Sequence, residues 1–449
     1  MGNHTRHWIL ASFALVAALA APCAGQDAEP EEPPSILERL EQQERELDEL
    51  RGMVEKKAAS APKASSSPKW GGQIVMDAIW FDQNAASRAA VGDVDDAFGF
   101  RRARLYVTGE THEIFTYAMG FDFAQGTGTD GRPAFLDNYL GVTDLPVVGN
   151  LRIGHFFEPF TLERSGSNRN TTFMERSLAD AFAPARNLGI MIFDQSEDQR
   201  YWWALGSFRG ASDNFGDETG DQEGQTVDGR FVWRPYYDEP SNGRYYMHLG
   251  GGYSFRQAAD GDVRFRSRPE AFGNSDANNP ATPYFVDTGE LTAHYSQLFG
   301  GEFLWVHGPL CVQSEYVAAP VNRTTGNDAL FHGGYLNVSY MLTGEHRPYN
   351  RAAAIVDRVI PFENFFRVRT RDGAIETGRG AWEVAGRISY IDLADQDIDG
   401  GRLRDVTFGV NWYASPHHRF RFNYIQAHLN RFGAITDTSI FGVRFDMDF

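Results

Sequence analysis

The last nine residues, Phe441 to Phe449, alternate without a break. Phe441, Val443, Phe445, Met447 and Phe449 are apolar, whereas Gly442, Arg444, Asp446 and Asp448 are not. Extended backbone sends successive side chains to opposite faces, so this period of two predicts a strand with one greasy and one polar face. The pattern recurs upstream. Phe115, Tyr117, Met119, Phe121 and Phe123 form an apolar row, as do Leu336, Val338, Tyr340 and Leu342 opposite Asn337 and Ser339. Trp382, Val384, Ile388 and Tyr390 oppose Glu383, Arg387 and Ser389; Val406, Phe408, Val410 and Trp412 make another row; Phe420, Phe422 and Tyr424 oppose Arg419, Arg421 and Asn423. Gly, Asn and Asp clusters between the segments read as hairpin turns. Apolar rows backed by polar and charged rows predict an all-β, antiparallel transmembrane barrel with lipid outside and water inside. A final strand closing on a carboxy-terminal aromatic is a signature of bacterial outer-membrane barrels. About 380 residues follow Lys69, and at about 10 residues per strand plus its turn they make roughly 16 strands.

Three regions precede the barrel. Residues 1–25 carry Arg6, an apolar run from Trp8 to Ala21 and small residues up to Gly25, the layout of a secretory signal peptide and too short for a spanning helix. Pro22 before Cys23 fits lipoprotein acylation poorly, and cleavage at or after Cys23 would leave Cys311 without a disulfide partner. Residues 26–57 begin as an acidic, Pro-rich spacer and continue as ILERLEQQERELDELRGMVEKK. There Leu40, Leu47 and Val54 repeat every seventh residue, with Ile36, Gln43 and Leu50 offset by three, predicting a short periplasmic coiled-coil helix. Three heptads are marginal alone, so a solvated single helix competes with that reading. Residues 58–69 form an Ala/Ser/Pro/Lys linker, and 70–449 form the barrel.

Composition changes this picture in two ways. The mean hydropathy is that of a soluble protein, as expected when apolar residues alternate with polar ones; a soluble secreted β-protein is the competing reading. Second, Lys56, Lys57, Lys63 and Lys69 are the only lysines, so every such basic position of the barrel is Arg. Arginine's planar fork grips oxyanions through two parallel hydrogen bonds. Arg264, Arg266 and Arg268 alternate in VRFRSR and would project one way from an extended chain; Arg367, Arg369 and Arg371 repeat the device. Arg102 and Arg104 share a face, whereas Arg101 shares that of Leu105 and Val107 and is expected at a rim. A row of like charges repels itself unless water, counter-charges or anions occupy it. Inside a pore it would concentrate anions and pass them along. The net charge of −18 does not oppose this, because acids crowd into expected loops such as 213–223 and 93–96. Codon bias towards Arg and pairing of each Arg with a lumen carboxylate are the competing explanations.

Catalytic and metal signatures are weak. Asp395, Asp397, Asp399 and Gly400 imitate the start of a calcium loop, but Val406 stands where a bidentate Glu is required, so the segment reads as a polar hairpin. His294 with Ser296 supports no triad by spacing alone, and His417-His418 reads as turn decoration. Walker and Rossmann glycine loops are missing. No cofactor and no nucleic-acid partner is implied.

FRRARLYVTGE (100–110), LRIGHFFEPFTLE (151–163), TTFMERSLADAFAPARNLGI (171–190), SYMLTGEHRPYN (339–350) and GGRLRDVTFGVNWY (400–413) resemble the phosphate-selective porin O/P family over essentially all of 70–449. The resemblance implies a trimeric, 16-stranded outer-membrane barrel whose third loop folds inward to narrow the pore, here about Thr161 to Asn187. It implies anion-binding roles for Arg164, in a position where family members can carry lysine, and for Arg169, Arg176 and Arg186 of the same segment. Arg264, Arg266 and Arg268 resemble the family's arginine ladder, and Arg101 and Arg102, with Arg104 beside them, its paired arginines on an early strand. The implied function is a passive, anion-preferring channel for phosphate or polyphosphate, a homotrimer among outer-membrane lipids. The amino-terminal helix, a departure from the family pattern, is a candidate cell-wall contact. A porin for other small anions, an envelope tether and an outer-membrane hydrolase are the alternatives.

Overall fold

The computed structural model describes residues 67–124, 132–210, 224–273, 282–369 and 373–449. The expected signal peptide, the coiled coil and nearly all of the linker lie outside the described residues, as do Arg371 and the acidic run 213–223.

Sixteen antiparallel strands of eight or more residues close into one barrel. In chain order they are β1 (Lys69–Gln83), β2 (Ala97–Thr111), β3 (Phe115–Asp122), β4 (Asn138–Leu145), β5 (Gly149–Phe157), β6 (Arg186–Gln195), β7 (Tyr201–Arg209), β8 (Gln225–Tyr237), β9 (Tyr245–Gln257), β10 (Leu291–His307), β11 (Leu310–Arg323), β12 (Ala329–Met341), β13 (Ala381–Asp395), β14 (Ile398–Ser415), β15 (His418–Arg431) and β16 (Ala434–Asp448). β16 returns to β1, with Gln73 opposite Asp448 and Gln83 opposite Thr438. Gly72 and Phe449 exchange backbone hydrogen bonds of 3.0 and 3.2 Å, so the last residue of the chain completes the ladder. The Phe449 ring lies where a Cβ on Gly72 would stand, which is why the position is glycine. Closure leaves no unpaired sheet edge, the condition for strands to survive in lipid.

The alternation has its expected sense. Along β16, Phe441 is exposed while Arg444, Asp446 and Asp448 are buried, and Phe408, Leu336 and Tyr424 are exposed on other strands. The inner wall, however, is not uniformly polar and water-lined. Leu298, Val317, Phe331, Ile391, Leu403 and Leu429 face inward and pack with Leu178 and Phe182 from residues 158–185 and with Phe265, Phe285 and Val286 from residues 258–290. Both connections therefore fold into the lumen. Each buried Phe or Leu is worth about 1.5–3 kcal/mol over exposure, which opposes the entropy cost of ordering long loops.

A third connection enters from the end at which β1 begins and β16 finishes. Between β12 and β13, Tyr349 and Val356 pack with Leu162, Tyr246, Leu304, Val306 and Cys311. Arg347 pairs with the buried Glu383 and donates to the Asn170 carbonyl at 2.8 Å. The lumen is thus filled on one side by three inserted segments, and open space remains against β2 to β6. The Asp395–Gly400 segment forms the tight β13–β14 turn, with Asp395 opposite Ile398.

Candidate functional site

Two adjoining cavities occupy this open space among the described residues. The one towards the long loops has a volume of about 530 Å³ and is lined by Arg101, Arg102, Arg104, Arg164, Arg176, Arg186, Arg264, Arg266 and Arg268, with Glu175, Asp180 and Glu270. The second, of about 350 Å³, is lined by Arg169 and shares Arg102, Arg104, Arg176 and Arg186 with the first. All ten arginines to which the resemblance gave anion-binding or ladder roles therefore border one cavity or both.

Arg101 arrives there by a route the alternation did not show. β1 pairs Val75 with Arg102 and Met76 with Phe100, leaving Arg101 as the extra residue of a β-bulge. A bulge shifts the facing of residues on one side of it, so Arg101 does not sit at a rim beside Leu105. It turns inward and grips Glu175 with both ends of its guanidinium, at 2.9 and 3.1 Å. Arg264, Arg266 and Arg268 alternate with the buried Phe265 and Ser267, as an extended chain that projects the arginines one way requires, and they belong to the inserted loop 258–290 rather than to a wall strand. Arg367 and Arg369 are exposed on the β12–β13 connection and line neither cavity.

The arginines divide by what holds them. Five are neutralised by carboxylates: Arg101 by Glu175, Arg104 by Asp122 at 2.7 Å, Arg164 by Asp180 at 2.8 Å, Arg186 by Asp137 at 2.9 Å and Arg264 by Asp287 at 2.6 Å. Arg176 donates to the carbonyls of Glu163 and Gly166 at 3.0 and 3.1 Å and so ties the inserted loop to itself. Arg169 bonds Tyr106 Oη at 2.7 Å and Asp448 at 3.3 Å. Arg102, Arg266 and Arg268 stand apart. Arg102 is 6% exposed, its nearest carboxylate oxygen is 4.0 Å away on Glu175, and its Nε and Nη1 have no hydrogen-bond partner among the described residues. Arg266 lies over the Tyr284 ring at 4.2 Å, and Arg268 over Tyr284 and Phe272 at 3.7 and 4.8 Å. Stacking holds a guanidinium in position without cancelling its charge. Phe157 serves Arg164, Arg176 and Arg186 in the same way, at 5.9, 5.7 and 3.9 Å.

Phe157, Phe272 and Tyr284, and the carboxylates Glu175, Asp180, Asp122, Asp137 and Asp287, were not singled out from the sequence. FRSRPEAF, with an aromatic on either side of an arginine pair, carried a readable hint; the carboxylates carried none, since even the nearer ones, such as Asp180 for Arg164, meet their arginines only when the chain folds back.

Glu175 is the electrostatic hub. Burial by itself pushes its carboxyl up, but Arg101, then Arg444 and Arg102, outweigh that and hold it well below the usual carboxylate range. A depressed carboxylate contributes stability that is complete above the unfolded value of 4.5 and lost only as pH falls through the folded value. The ion selectivity is therefore expected to stay flat between about pH 8 and about pH 5, no histidine lining either cavity among the described residues. The check is the reversal potential in a chloride gradient, since chloride does not titrate; a steady drift across that window would overturn the assignment. Glu175→Gln should shift the same potential further towards anions at every pH.

Comparison with known proteins places these features. A family model described as phosphate-selective porin O and P matches residues 73–449. Porin O of Pseudomonas aeruginosa is 26% identical over 395 residues, spanning 80% of this chain and 82% of that protein. An uncharacterized protein of Caulobacter vibrioides is 26% identical over 392 residues, spanning 82% of this chain and 72% of its own. Among solved structures, OprB of Pseudomonas putida superposes with a TM-score of 0.51 at 8% identity, covering 86% of this chain and 94% of that one.

Proposed function

The chain belongs to the phosphate-selective porin O and P family and forms an outer-membrane porin barrel, and on that footing we propose that its cargo is phosphate or polyphosphate, passed by lumen arginines without energy input. The observation that carries this reading is the cavity of about 530 Å³ bordered by nine arginines, of which Arg266 and Arg268 have no ion pair among the described residues and Arg102 meets a carboxylate no nearer than 4.0 Å. Unneutralised guanidinium groups replace part of an oxyanion's hydration with charge-assisted hydrogen bonds. Conduction also requires that the anion leave, so binding must be spread over several sites. Of the four arginines that line both cavities, Arg104 and Arg186 are held by carboxylates, which leaves Arg102 and Arg176 for such a hand-over, while the neutralised ones set the walls without deepening the trap.

A homotrimer is part of the same reading. β3 and β4 have eight residues each, which at about 3.3 Å per residue and a tilt of about 40° reach only about 20 Å, short of a roughly 25 Å apolar band. Neighbouring copies would cover that side of the barrel in place of lipid.

The test is single-channel current in a planar bilayer, first in a chloride gradient and then with added phosphate. Anion selectivity with saturable block by phosphate is the expected result. Conductance without block would keep the porin and reject the phosphate cargo.

A further inference from the structure

The β12–β13 connection has two destinations. Tyr349, Val356 and Val359 are buried, Val359 against Met341, Ala381 and Tyr413. Beyond it the chain runs at the rim where β1 begins and β16 finishes, and its apolar side chains are left uncovered: Ile360 is 63% exposed, Phe362 68%, Phe365 47% and Phe366 60%. Four large apolar side chains within seven residues are unusual on a protein surface in water.

Their position says what covers them. The Phe365 ring meets the outward-facing Trp412 edge-on at 4.7 Å, and Trp412 stacks between Trp382 and Phe420 at 5.6 and 5.4 Å. Phe420 in turn lies 5.0 Å from Phe445 of the closing strand. This is an aromatic belt of the kind barrels carry at the membrane–water boundary. The exposed cluster continues it rather than standing apart from it. The attachment is built: Phe365 N–H donates to the Ala414 carbonyl at 2.7 Å and Phe366 N–H to Gly378 at 3.1 Å, while the Trp412 indole N–H donates to the Arg379 carbonyl at 2.9 Å. Phe366 holds a φ of 72°, a costly conformation for a bulky residue that persists only where its surroundings repay it. Arg367 and Arg369 follow at once, both exposed and without an ion pair among the described residues.

We propose that residues 360–369 lie on the periplasmic leaflet of the outer membrane, with Ile360, Phe362, Phe365 and Phe366 at the headgroup–acyl boundary and Arg367 and Arg369 at lipid phosphates. The order of apolar cluster followed by arginines is that of an interfacial anchor. The anchor fixes the far end of the connection whose near end, through Arg347 and Asn170, meets the constriction loop. It depends on the barrel spanning the membrane and is independent of which anion the pore carries.

The experiment uses the full chain with Cys23 and Cys311 replaced by serine and an environment-sensitive fluorophore on Phe366→Cys, on Phe362→Cys in a parallel sample, and on Asp198→Cys of the β6–β7 turn as a control. Each is reconstituted into phosphatidylethanolamine–phosphatidylglycerol vesicles, folding being checked by heat-modifiable gel mobility. Lipids with a nitroxide near the headgroup should quench the labels at 362 and 366 at least about threefold more than the control, as for a side chain in the interface, and aqueous iodide should quench them less. Equal iodide quenching at all three positions, with no lipid quenching, would overturn the proposal. So would protection from both quenchers, which would mean that protein, such as a second copy of the chain, covers the patch.

Discussion

Arg102→Gln is expected to weaken phosphate block of the single-channel current by about tenfold to a hundredfold, the loss of hydrogen bonds from a charged donor being worth about 1.5–3 kcal/mol. Arg102 is singled out because its charge is not already spent. Its side chain is buried at the wall shared by the two cavities, with Nε and Nη1 unpartnered among the described residues. Burying an unpaired cation is costly unless something anionic visits it. The matched control is Arg264→Gln, since Arg264 is held through two hydrogen bonds by Asp287 and its removal should change block by less than about threefold. Arg266→Ala belongs between them, lowering anion selectivity because a stacked but unneutralised charge is lost. Wild-type block in Arg102→Gln alongside lost block in Arg264→Gln would move the binding site to the inserted loop. The readout is phosphate titration of current in a planar bilayer.

Arg444→Met should be the most damaging single change to the fold, costing about 3–5 kcal/mol, the usual cost of removing one partner of a buried ion pair. Arg444 is fully buried on β16. It grips Asp77 of β1 at 2.7 and 2.6 Å, reaches Glu175 at 2.5 Å and donates to the Met174 carbonyl. One guanidinium thus joins the seam where the barrel closes to the loop that narrows it. Its loss strands Asp77 without a cation and leaves Glu175 held by Arg101 alone, which lets it move towards Arg102. Two measurements follow: a lower temperature for the heat-induced gel shift, and weaker anion selectivity in the channels that remain. Adding Asp77→Asn should restore much of the thermal stability, because the stranded charge disappears, but not the selectivity, because Glu175 still lacks its Arg444 anchor. Full recovery of both would mean that Arg444 acts on the seam alone.

The contrast between Arg164 and Arg102 shows where reading by motif reaches its limit. Arg164 was marked by its position in the constriction segment, and it does border the larger cavity, but Asp180 sixteen residues on folds back onto it. Arg102 and Arg101 are neighbours in sequence with opposite fates, one open and one clamped by Glu175. The regular alternation around them would have sent them to opposite faces; a bulge set by the register of β1 brings both inside. The apolar inner wall is another case. Ile391 and Leu393 sit between apolar or polar neighbours in a way that is readable only once loops 158–185 and 258–290 are known to pack there.

What the sequence determined by itself is whatever depends on near neighbours. The period of two sets which strand face meets lipid, the pattern up to Phe449 marks the strand on which the barrel closes, and the lack of lysine from 70 to 449 makes every such basic side chain of the barrel a guanidinium. Whether a given arginine is free or neutralised was decided only by the tertiary structure. The partner of Arg444 lies 367 residues away, that of Arg101 lies 74 and that of Arg387 lies 117. Charge–charge energy depends on distances in space of a few ångströms, and those are set by strand register and by loops folding inward around apolar contacts.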